Sequence, residues 1–223
     1  MLHPVLTAIE AEGFTALGWF DCEPADRVPA LANGVPAASA VIVGNAGPAM
    51  FARFAAEHDP ARDTLDDWCR TVLGRLAASL GAGVHFPFDV PPLPFSAWAR
   101  RAAAGHASPL GRNIHPRYGL WHAYRALLTF SERLKLPPPE SGPHPCDDCP
   151  DRPCLSACPV GAFTPSGYDV AACAAHLGSP DGGQCMSLGC LARHACPIGQ
   201  AYAYDPPQAG FHMTAFLAAR PPS

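Results

Sequence analysis

The sequence is poor in basic residues, and those present are scattered. The 223 residues contain 15 lysines and arginines, of which only Lys135 is a lysine, and the formal net charge is −4. A nucleic-acid-binding protein typically carries a basic stripe or patch. The composition therefore predicts no nucleic-acid partner.

Long apolar runs and a secretion signal are missing as well. No segment approaches the roughly 18 apolar residues of a membrane helix. The first residues, MLHPVLTAIEAEG, include Glu10 and Glu12 where a signal peptide has a basic and then an apolar region. These features predict a cytoplasmic protein that does not bind membranes.

Cysteine is nearly absent from residues 1–145, which contain only Cys22 and Cys69. Eight of the ten cysteines lie between Cys146 and Cys196. Disulfide frameworks are typical of small secreted proteins, so in a reducing cytosol such a dense block indicates metal ligands. Cys22 and Cys69 lie among apolar residues and are predicted to be inert core cysteines.

The cysteine block contains two runs that each end in Cys-Pro. The first run has the spacing C-x2-C-x4-C-x3-C-P, the second has C-x4-C-x5-C-P, and Cys173 lies between them. In two-cluster ferredoxins, the fourth thiolate of each run ligates the other cluster. This rule predicts two 4Fe–4S clusters. One is ligated by the first cysteine set, Cys146, Cys149, Cys154 and Cys196; the other is ligated by the second cysteine set, Cys158, Cys173, Cys185 and Cys190.

Structural zinc and disulfide bonds are the alternatives for these cysteines. Zinc favours four-cysteine sites, and C-x2-C-x4-C resembles a zinc knuckle. The second gap of the first run is x4, wider than the x2 that is usual in ferredoxins. The spacing therefore indicates the presence of clusters more firmly than their type.

The composition changes near residue 136. Before it, helix-like stretches such as HPVLTAIEAEG and DTLDDWCRTVLGRLAASLG, with Asp63 or Thr64 as N-cap, alternate with strand-like stretches such as SAVIVGN and YGLWHAYRALLTF. This pattern predicts an α+β domain over residues 1–135. A proline-rich linker (136–145), a ferredoxin-like cluster domain (146–199) and a C-terminal tail (200–223) follow.

Both halves resemble proteins that bind cobalamin. The stretches AVIVGNAGPAMFARF (40–54), DTLDDWCRTVLGRLAASLG (63–81) and NIHPRYGLWHAYRALL (113–128) resemble the cobalamin-processing chaperones, the family defective in combined methylmalonic aciduria and homocystinuria of type C. That resemblance implies a nitroreductase-like (flavin-reductase-like) sandwich that binds base-off cobalamin. The cysteine order resembles epoxyqueuosine reductases and reductive dehalogenases, which join a similar cobalamin-binding core to a two-cluster ferredoxin module.

A candidate cobalamin pocket lies in the last predicted strand. Side chains alternate along a strand, so Trp121, Ala123 and Arg125 are predicted to share one face. The alternative is that Trp121 belongs to the core and Arg125 pairs with a carboxylate. The resemblance to the chaperones implies cofactor contacts for Trp121 and Arg125, and also for His106. No catalytic residue is identified.

These features predict a cobalamin-binding iron–sulfur oxidoreductase. Electrons would come from a flavodoxin, a ferredoxin or a flavin reductase and pass through two 4Fe–4S clusters to cobalt, for cobalamin reduction or removal of its upper ligand. Three alternatives stay open: reduction of a small organic substrate at cobalt, an electron carrier without cobalamin, and a flavin in the front domain.

Overall fold

The structure, a computed structural model, describes residues 3–58, 64–138 and 142–220. These residues form two compact units. The first unit comprises the described residues up to Gly105 together with 122–138. The second unit comprises His106–Trp121 and the described residues from Gly142 onward.

The strands lie in both units. In chain order they are β1 (Thr15–Asp21), β2 (Ser39–Ala46), β3 (Gly83–His85), β4 (His106–Ala107), β5 (Asn113–Ile114), β6 (His122–Phe130), β7 (Phe163–Thr164) and β8 (Gly167–Tyr168). The α-helices are α1 (Pro4–Ala11), α2 (Ala49–Glu57), α3 (Leu65–Ser79), α4 (Phe95–Arg101), α5 (Pro153–Ser156), α6 (Val170–Leu177), α7 (Gly183–Leu188), α8 (Leu191–His194) and α9 (Pro206–Ala218). No helix within the described ranges is both long and apolar enough to span a membrane.

The first unit is built on a four-stranded antiparallel sheet with the strand order β1-β2-β6-β3. Strand β2 is buried along nearly its whole length because its residues, SAVIVGNA, are mostly small or β-branched and pack on both faces. An antiparallel sheet combined with helices confirms the predicted mixture of α and β structure.

Helix α3 is the longest helix of the first unit, as its apolar periodicity predicts. Thr64 is its N-cap, and the Thr64 side chain accepts a hydrogen bond from the Asp67 backbone N–H. Asp66 and Asp67 lie in the first turn, where negative charge is favoured by the helix dipole. Asp63, the other predicted cap, lies outside the described residues.

Strand β6 differs from the predicted strand in two ways. It begins at His122, so Trp121 precedes it. Its register with β2 also shifts, because Val43 pairs with Ala126 while Gly44 pairs with Tyr124, which leaves Arg125 as the extra residue of a β-bulge. A bulge interrupts the alternation of side chains. The prediction that Trp121, Ala123 and Arg125 share a strand face is therefore wrong.

The second unit begins earlier in the chain than the predicted boundary near residue 136. Gly119 and Gly199 both have positive φ angles, 57° and 75°. A Cβ at Gly119 would collide with the backbone of Ile198, and one at Gly199 would collide with the backbone of Tyr118. The absence of side chains thus lets the loop before β6 pack directly against the chain that follows the last cysteine.

The predicted linker and tail are parts of the two units. The Trp19 indole donates a 2.7 Å hydrogen bond to the Pro137 carbonyl within the first unit. In the second unit, His144 Nε2 lies 2.8 Å from the Ala107 carbonyl oxygen. Residues 139–141 of the linker lie outside the described residues. The tail contains α9, which packs against α7 through its Ala209 methyl and Gly189.

Candidate metal centres

The four thiols of the first cysteine set lie close together in the second unit. Burial raises the pKa of Cys146, and repulsion from the thiolates of Cys196, Cys154 and Cys149 raises it further. Burial likewise raises the pKa of Cys154, with added repulsion from Cys196 and Cys149. All four thiols line one cavity. Cys196, from the second sequence run, thus lies with three cysteines of the first run.

The second cysteine set is gathered in the same way. Burial raises the pKa of Cys185, and repulsion from Cys190, Cys173 and Cys158 adds to that effect. Cys173 also raises the pKa of Cys190, for which burial is again the largest cause. Cys158, the last cysteine of the first run, therefore lies with the second set.

Short helices and turns hold these cysteines and aim backbone donors at their sulfurs. Helices α5, α6 and α7 carry Cys154, Cys173 and Cys185, and Cys190 is the N-cap of α8. The Ala162 N–H donates to Cys158 Sγ over 3.3 Å. Backbone N–H donors also lower the pKa values of the Cys185 and Cys190 thiols, in opposition to burial. Such N–H···S contacts stabilise thiolates and tune cluster potentials.

Eight thiols in two groups of four fit the ligand demand of two 4Fe–4S clusters, each of which takes four thiolates. Within the described ranges, no group of three or more His, Cys, Asp or Glu side chains is arranged to hold a single metal ion. In a four-iron cluster each thiolate binds a different iron, so its ligands are spread more widely than those of one ion.

His106 lies in the second unit, beside the first cysteine set. It belongs to β4, and its ring centroid is 5.0 Å from that of His144. The Cys146 backbone N–H donates to His144 Nδ1 over 3.1 Å. Burial lowers the pKa of His106, and a charge on His144 would lower it further. A contact between His106 and cobalamin stays a prediction.

Arg125 is a buried cation in the first unit, with 9% of its surface exposed. Its Nε donates a 2.9 Å hydrogen bond to Asn45 Oδ1. It forms no ion pair with a carboxylate in the described part of the chain. The alternative that Arg125 pairs with a carboxylate is therefore not supported among these residues.

Trp121 belongs to the second unit and is 1% exposed. It packs against Tyr204 and Ala209, and the Arg193 guanidinium lies over its ring. The two residues that were predicted to form one pocket, Trp121 and Arg125, thus belong to different units with different partners. The contact of each with cobalamin stays a prediction.

No protein-family model and no curated protein matches the chain. Solved structures do match. An epoxyqueuosine reductase with an epoxyqueuosine-modified tRNA stem loop aligns over 92% of this chain and 69% of its own, with 19% identity and a TM-score of 0.50. The epoxyqueuosine reductase of Streptococcus thermophilus aligns over the same shares, with 17% identity and a TM-score of 0.52. This chain has the fold of epoxyqueuosine reductases.

The epoxyqueuosine reductase fold accords with one of the two resemblances stated from the sequence, that of the cysteine order. Neither search supports the other resemblance, to the cobalamin-processing chaperones. At identities of 17–19% the match establishes the fold and not the activity. The chemistry must therefore be argued from the residues of this chain.

Sequence reasoning missed several charged residues at these centres, among them Arg193. It lies on α8, between Cys190 and Cys196. Its position inside the cysteine block was a usable indication, because a cation flanked by ligands acts on their charge. Its contacts with the Trp121 and Tyr204 rings could not be predicted, since these rings come from outside the stretch between Cys190 and Cys196.

Proposed function

We propose that this protein is a cobalamin-binding iron–sulfur oxidoreductase whose second unit holds two 4Fe–4S clusters. The observation that carries the proposal is the grouping of eight buried or half-buried thiols into two sets of four. As free thiolates the members of each set repel one another. Iron neutralises that repulsion, so these groups are suited to bind a cluster.

In this proposal each cysteine set ligates one cluster, and bound clusters supply one-electron transfer. The chain's own contribution is to bury the sulfurs and to direct backbone N–H groups at Cys158, Cys185 and Cys190. Both features set the reduction potential. A flavodoxin, a ferredoxin or a flavin reductase is the proposed electron donor.

Cobalamin in a nitroreductase-like first unit is the proposed electron acceptor, for reduction of cobalt or removal of its upper ligand. Arg125 supports this part, because a buried cation whose hydrogen-bond partner among the described residues is a neutral amide is suited to attract a polar or anionic ligand. The resemblance of residues 40–54, 63–81 and 113–128 to cobalamin-processing chaperones favours the same ligand. Contacts from Trp121 and His106 are secondary parts of this proposal.

Reduction of an organic substrate at cobalt is a second candidate. It is favoured by the fold shared with epoxyqueuosine reductases. One of those structures contains a tRNA stem loop. A tRNA ligand for this chain would have to bind despite its formal net charge of −4 and scattered arginines. We therefore favour an acceptor other than nucleic acid.

Anaerobic purification followed by titration with hydroxocobalamin tests the proposal. We expect about eight irons and eight sulfides per chain, together with an absorption change that marks base-off binding. Reduction of the bound cobalamin should then depend on the clusters. Stoichiometric zinc without iron would contradict the redox function.

Further outcomes separate the alternatives. Clusters without cobalamin binding would identify an electron carrier. Binding of a flavin in place of cobalamin would assign a flavin to the first unit. A modified tRNA stem loop that binds the loaded protein at physiological salt, but not a charge-matched unrelated RNA, would favour the second candidate and contradict the expectation of no nucleic-acid partner.

A further inference from the structure

A groove of about 490 Å³ opens beside Cys149 in the second unit. Its lining is mostly apolar and includes six prolines: Pro116, Pro143, Pro145, Pro150, Pro153 and Pro197. Proline has no backbone N–H, and its ring fixes the backbone angle φ. A partner can therefore cover this surface, which we call the proline groove, without burying unpaired N–H donors at these positions and with little loss of conformational freedom.

The proline groove borders the first cysteine set. Cys149 lines both the groove and the smaller cavity that all four thiols of this set line. Ile198 also lines both. The other three cysteines line the cavity but not the groove: Cys146, Cys154 and Cys196. A molecule seated in the groove would thus meet the first cysteine set at Cys149.

The rim of the groove is negatively charged. Asp148 and Asp151 line it, both are exposed, and they flank Cys149 and Pro150 in the sequence. No lysine or arginine is among the described residues that line the groove, and the neighbouring Arg152 lines the inner cavity instead. Charge of one sign beside an apolar surface selects a partner of the opposite charge and steers its approach. The groove therefore fits a protein face that is apolar at its centre and positively charged around it.

We propose that the proline groove is the docking surface of the electron-donor protein, and that the cluster of the first cysteine set receives the electron. This inference rests on the proposed function, because it requires the clusters and a donor. In each transfer the donor is oxidised by one electron and the first cluster is reduced by one, with no bond made or broken. Whichever of the proposed donor classes supplies the electron, its docking face should have an apolar centre and a basic rim.

Cytochrome c, a redox protein whose exposed haem edge is surrounded by lysines, is the probe for this surface. Calorimetric titration of the oxidised, cluster-loaded, full-length protein with oxidised cytochrome c at low salt measures docking without electron transfer. We expect the double variant Asp148→Asn/Asp151→Asn to bind about two- to tenfold more weakly, since each exposed charge contributes modestly. Binding should weaken as salt rises, and cytochrome c with succinylated lysines should not bind.

Asp181 provides a matched control. It is an exposed aspartate of the second unit, it lies in the short helix Pro180–Gly182, and it does not line the groove. Asp181→Asn removes the same kind of charge and should leave the affinity for cytochrome c unchanged. Pro143→Lys instead adds a positive charge to the groove, three residues before Cys146, and should weaken binding. This variant keeps the proposal falsifiable if the aspartate double variant loses iron.

Electron transfer from the reduced protein to oxidised cytochrome c, followed by stopped-flow absorption, tests which cluster meets the partner. Cys158→Ser removes a ligand of the second set and leaves the first set complete. Cys196→Ser removes a ligand of the first set. Cys158→Ser should therefore transfer its electron nearly as fast as the wild-type protein, and Cys196→Ser should transfer it more slowly.

An equal loss of affinity in Asp181→Asn and in the groove double variant overturns the proposal, as does unchanged affinity in both the double variant and Pro143→Lys. Faster transfer from Cys196→Ser than from Cys158→Ser also overturns it. A dimer of this chain that Pro143→Lys separates would assign the groove to a second copy, against the proposal. Absence of iron from the wild-type protein would instead overturn the proposed function itself.

Discussion

Replacing Cys196 by serine tests the ligand assignment most directly. Cys196 ends the second run in the sequence, but in the structure it repels the thiolates of Cys146 and Cys154 from the first run. If the first cysteine set binds a cluster, Cys196→Ser removes one of its four ligands. The cluster of the second set keeps all of its own ligands. The effect of the substitution should therefore appear in the first cluster alone.

The magnitude follows from the ligand count. Two 4Fe–4S clusters hold about eight irons, and loss of one cluster leaves about four. Serine has nearly the shape of cysteine, and Cys196 is 6% exposed, so the backbone and the packing should survive the exchange. Iron content should fall from about eight toward about four per chain. The reciprocal variant, Cys158→Ser, should lose the same amount of iron from the second cluster.

Comparison of spectra identifies which cluster is lost. The electron paramagnetic resonance spectrum of reduced Cys196→Ser should match that of Cys146→Ser, whose ligand belongs to the first set by sequence as well as by structure. Cys158→Ser should match Cys185→Ser. Cys22→Ser is the control. Cys22 lies in the first unit, and burial with nearby carboxylates raises its pKa to about 11, so it is a poor metal ligand and iron should not change.

The opposite pairing of spectra would refute this reasoning. If Cys196→Ser matched Cys185→Ser, and Cys158→Ser matched Cys146→Ser, each sequence run would ligate its own cluster. The proximity of Cys196 to the first run would then not describe the loaded protein. Equal damage to both clusters in every variant would indicate that the second unit unfolds without a full set of ligands.

Three further predictions concern stability and binding. Burial raises the pKa values of five thiols above the ordinary value of 9.0: Cys146, Cys154, Cys185, Cys190 and Cys196. The melting temperature of the iron-free protein should therefore fall as pH rises above about 9, because the unfolded chain then loses these protons more readily than the folded one. The melting temperature of the loaded protein should fall less, since iron-bound thiolates carry no proton. Arg125→Gln should weaken cobalamin binding by about 1–3 kcal/mol in a spectroscopic titration. Iron content and melting temperature should stay unchanged, because glutamine can still donate a hydrogen bond to Asn45. Unfolding of the variant with unchanged cobalamin affinity would contradict a role of Arg125 in binding. Gln208 is fully buried and its amide makes no hydrogen bond in the described part of the chain, so Gln208→Leu should stabilise the protein by about 1–2 kcal/mol in urea unfolding, whereas destabilisation would reveal a bound water or ligand.

Local sequence rules predicted the regular elements of the first unit well. Helix α3 begins after Thr64 because a threonine cap and two aspartates in the first turn satisfy free N–H groups and the helix dipole. Strand β2 is a short apolar run that is buried on both faces. Each of these elements depends on interactions within a few residues. Their positions could therefore be predicted from the sequence.

The grouping of the cysteines was predictable for a different reason. A cluster demands four thiolates, and the Cys-Pro at the end of each run is typical of a ligand that crosses to the other cluster. This rule predicts that Cys196 lies near Cys146, 50 residues earlier in the sequence, and the structure places the two thiols close together. Here the proximity of two cysteines far apart in the sequence was predicted from the number of ligands that a cluster needs, and not from helix or strand propensity.

The arrangement of Arg125 was not predictable from alternation. The bulge at Arg125 depends on its partner strand, where a Cβ at Gly44 would collide with the carbonyl oxygen of Ala123. This close approach joins two strands separated by about eighty residues, so no local pattern within β6 predicts it. The bulge brings Arg125 to Asn45 and changes which side chains share its face.

The boundary of the second unit was missed because it depends on two glycines rather than on composition. Gly119 and Gly199 allow the loop before β6 to pack on the chain after Cys196, which places residues 106–121 in the second unit. The stretch 113–128, which resembles the cobalamin chaperones, therefore spans both units. Trp121 and Arg125, four residues apart, consequently belong to different units, and the affinity for cobalamin tests only Arg125 with Asn45.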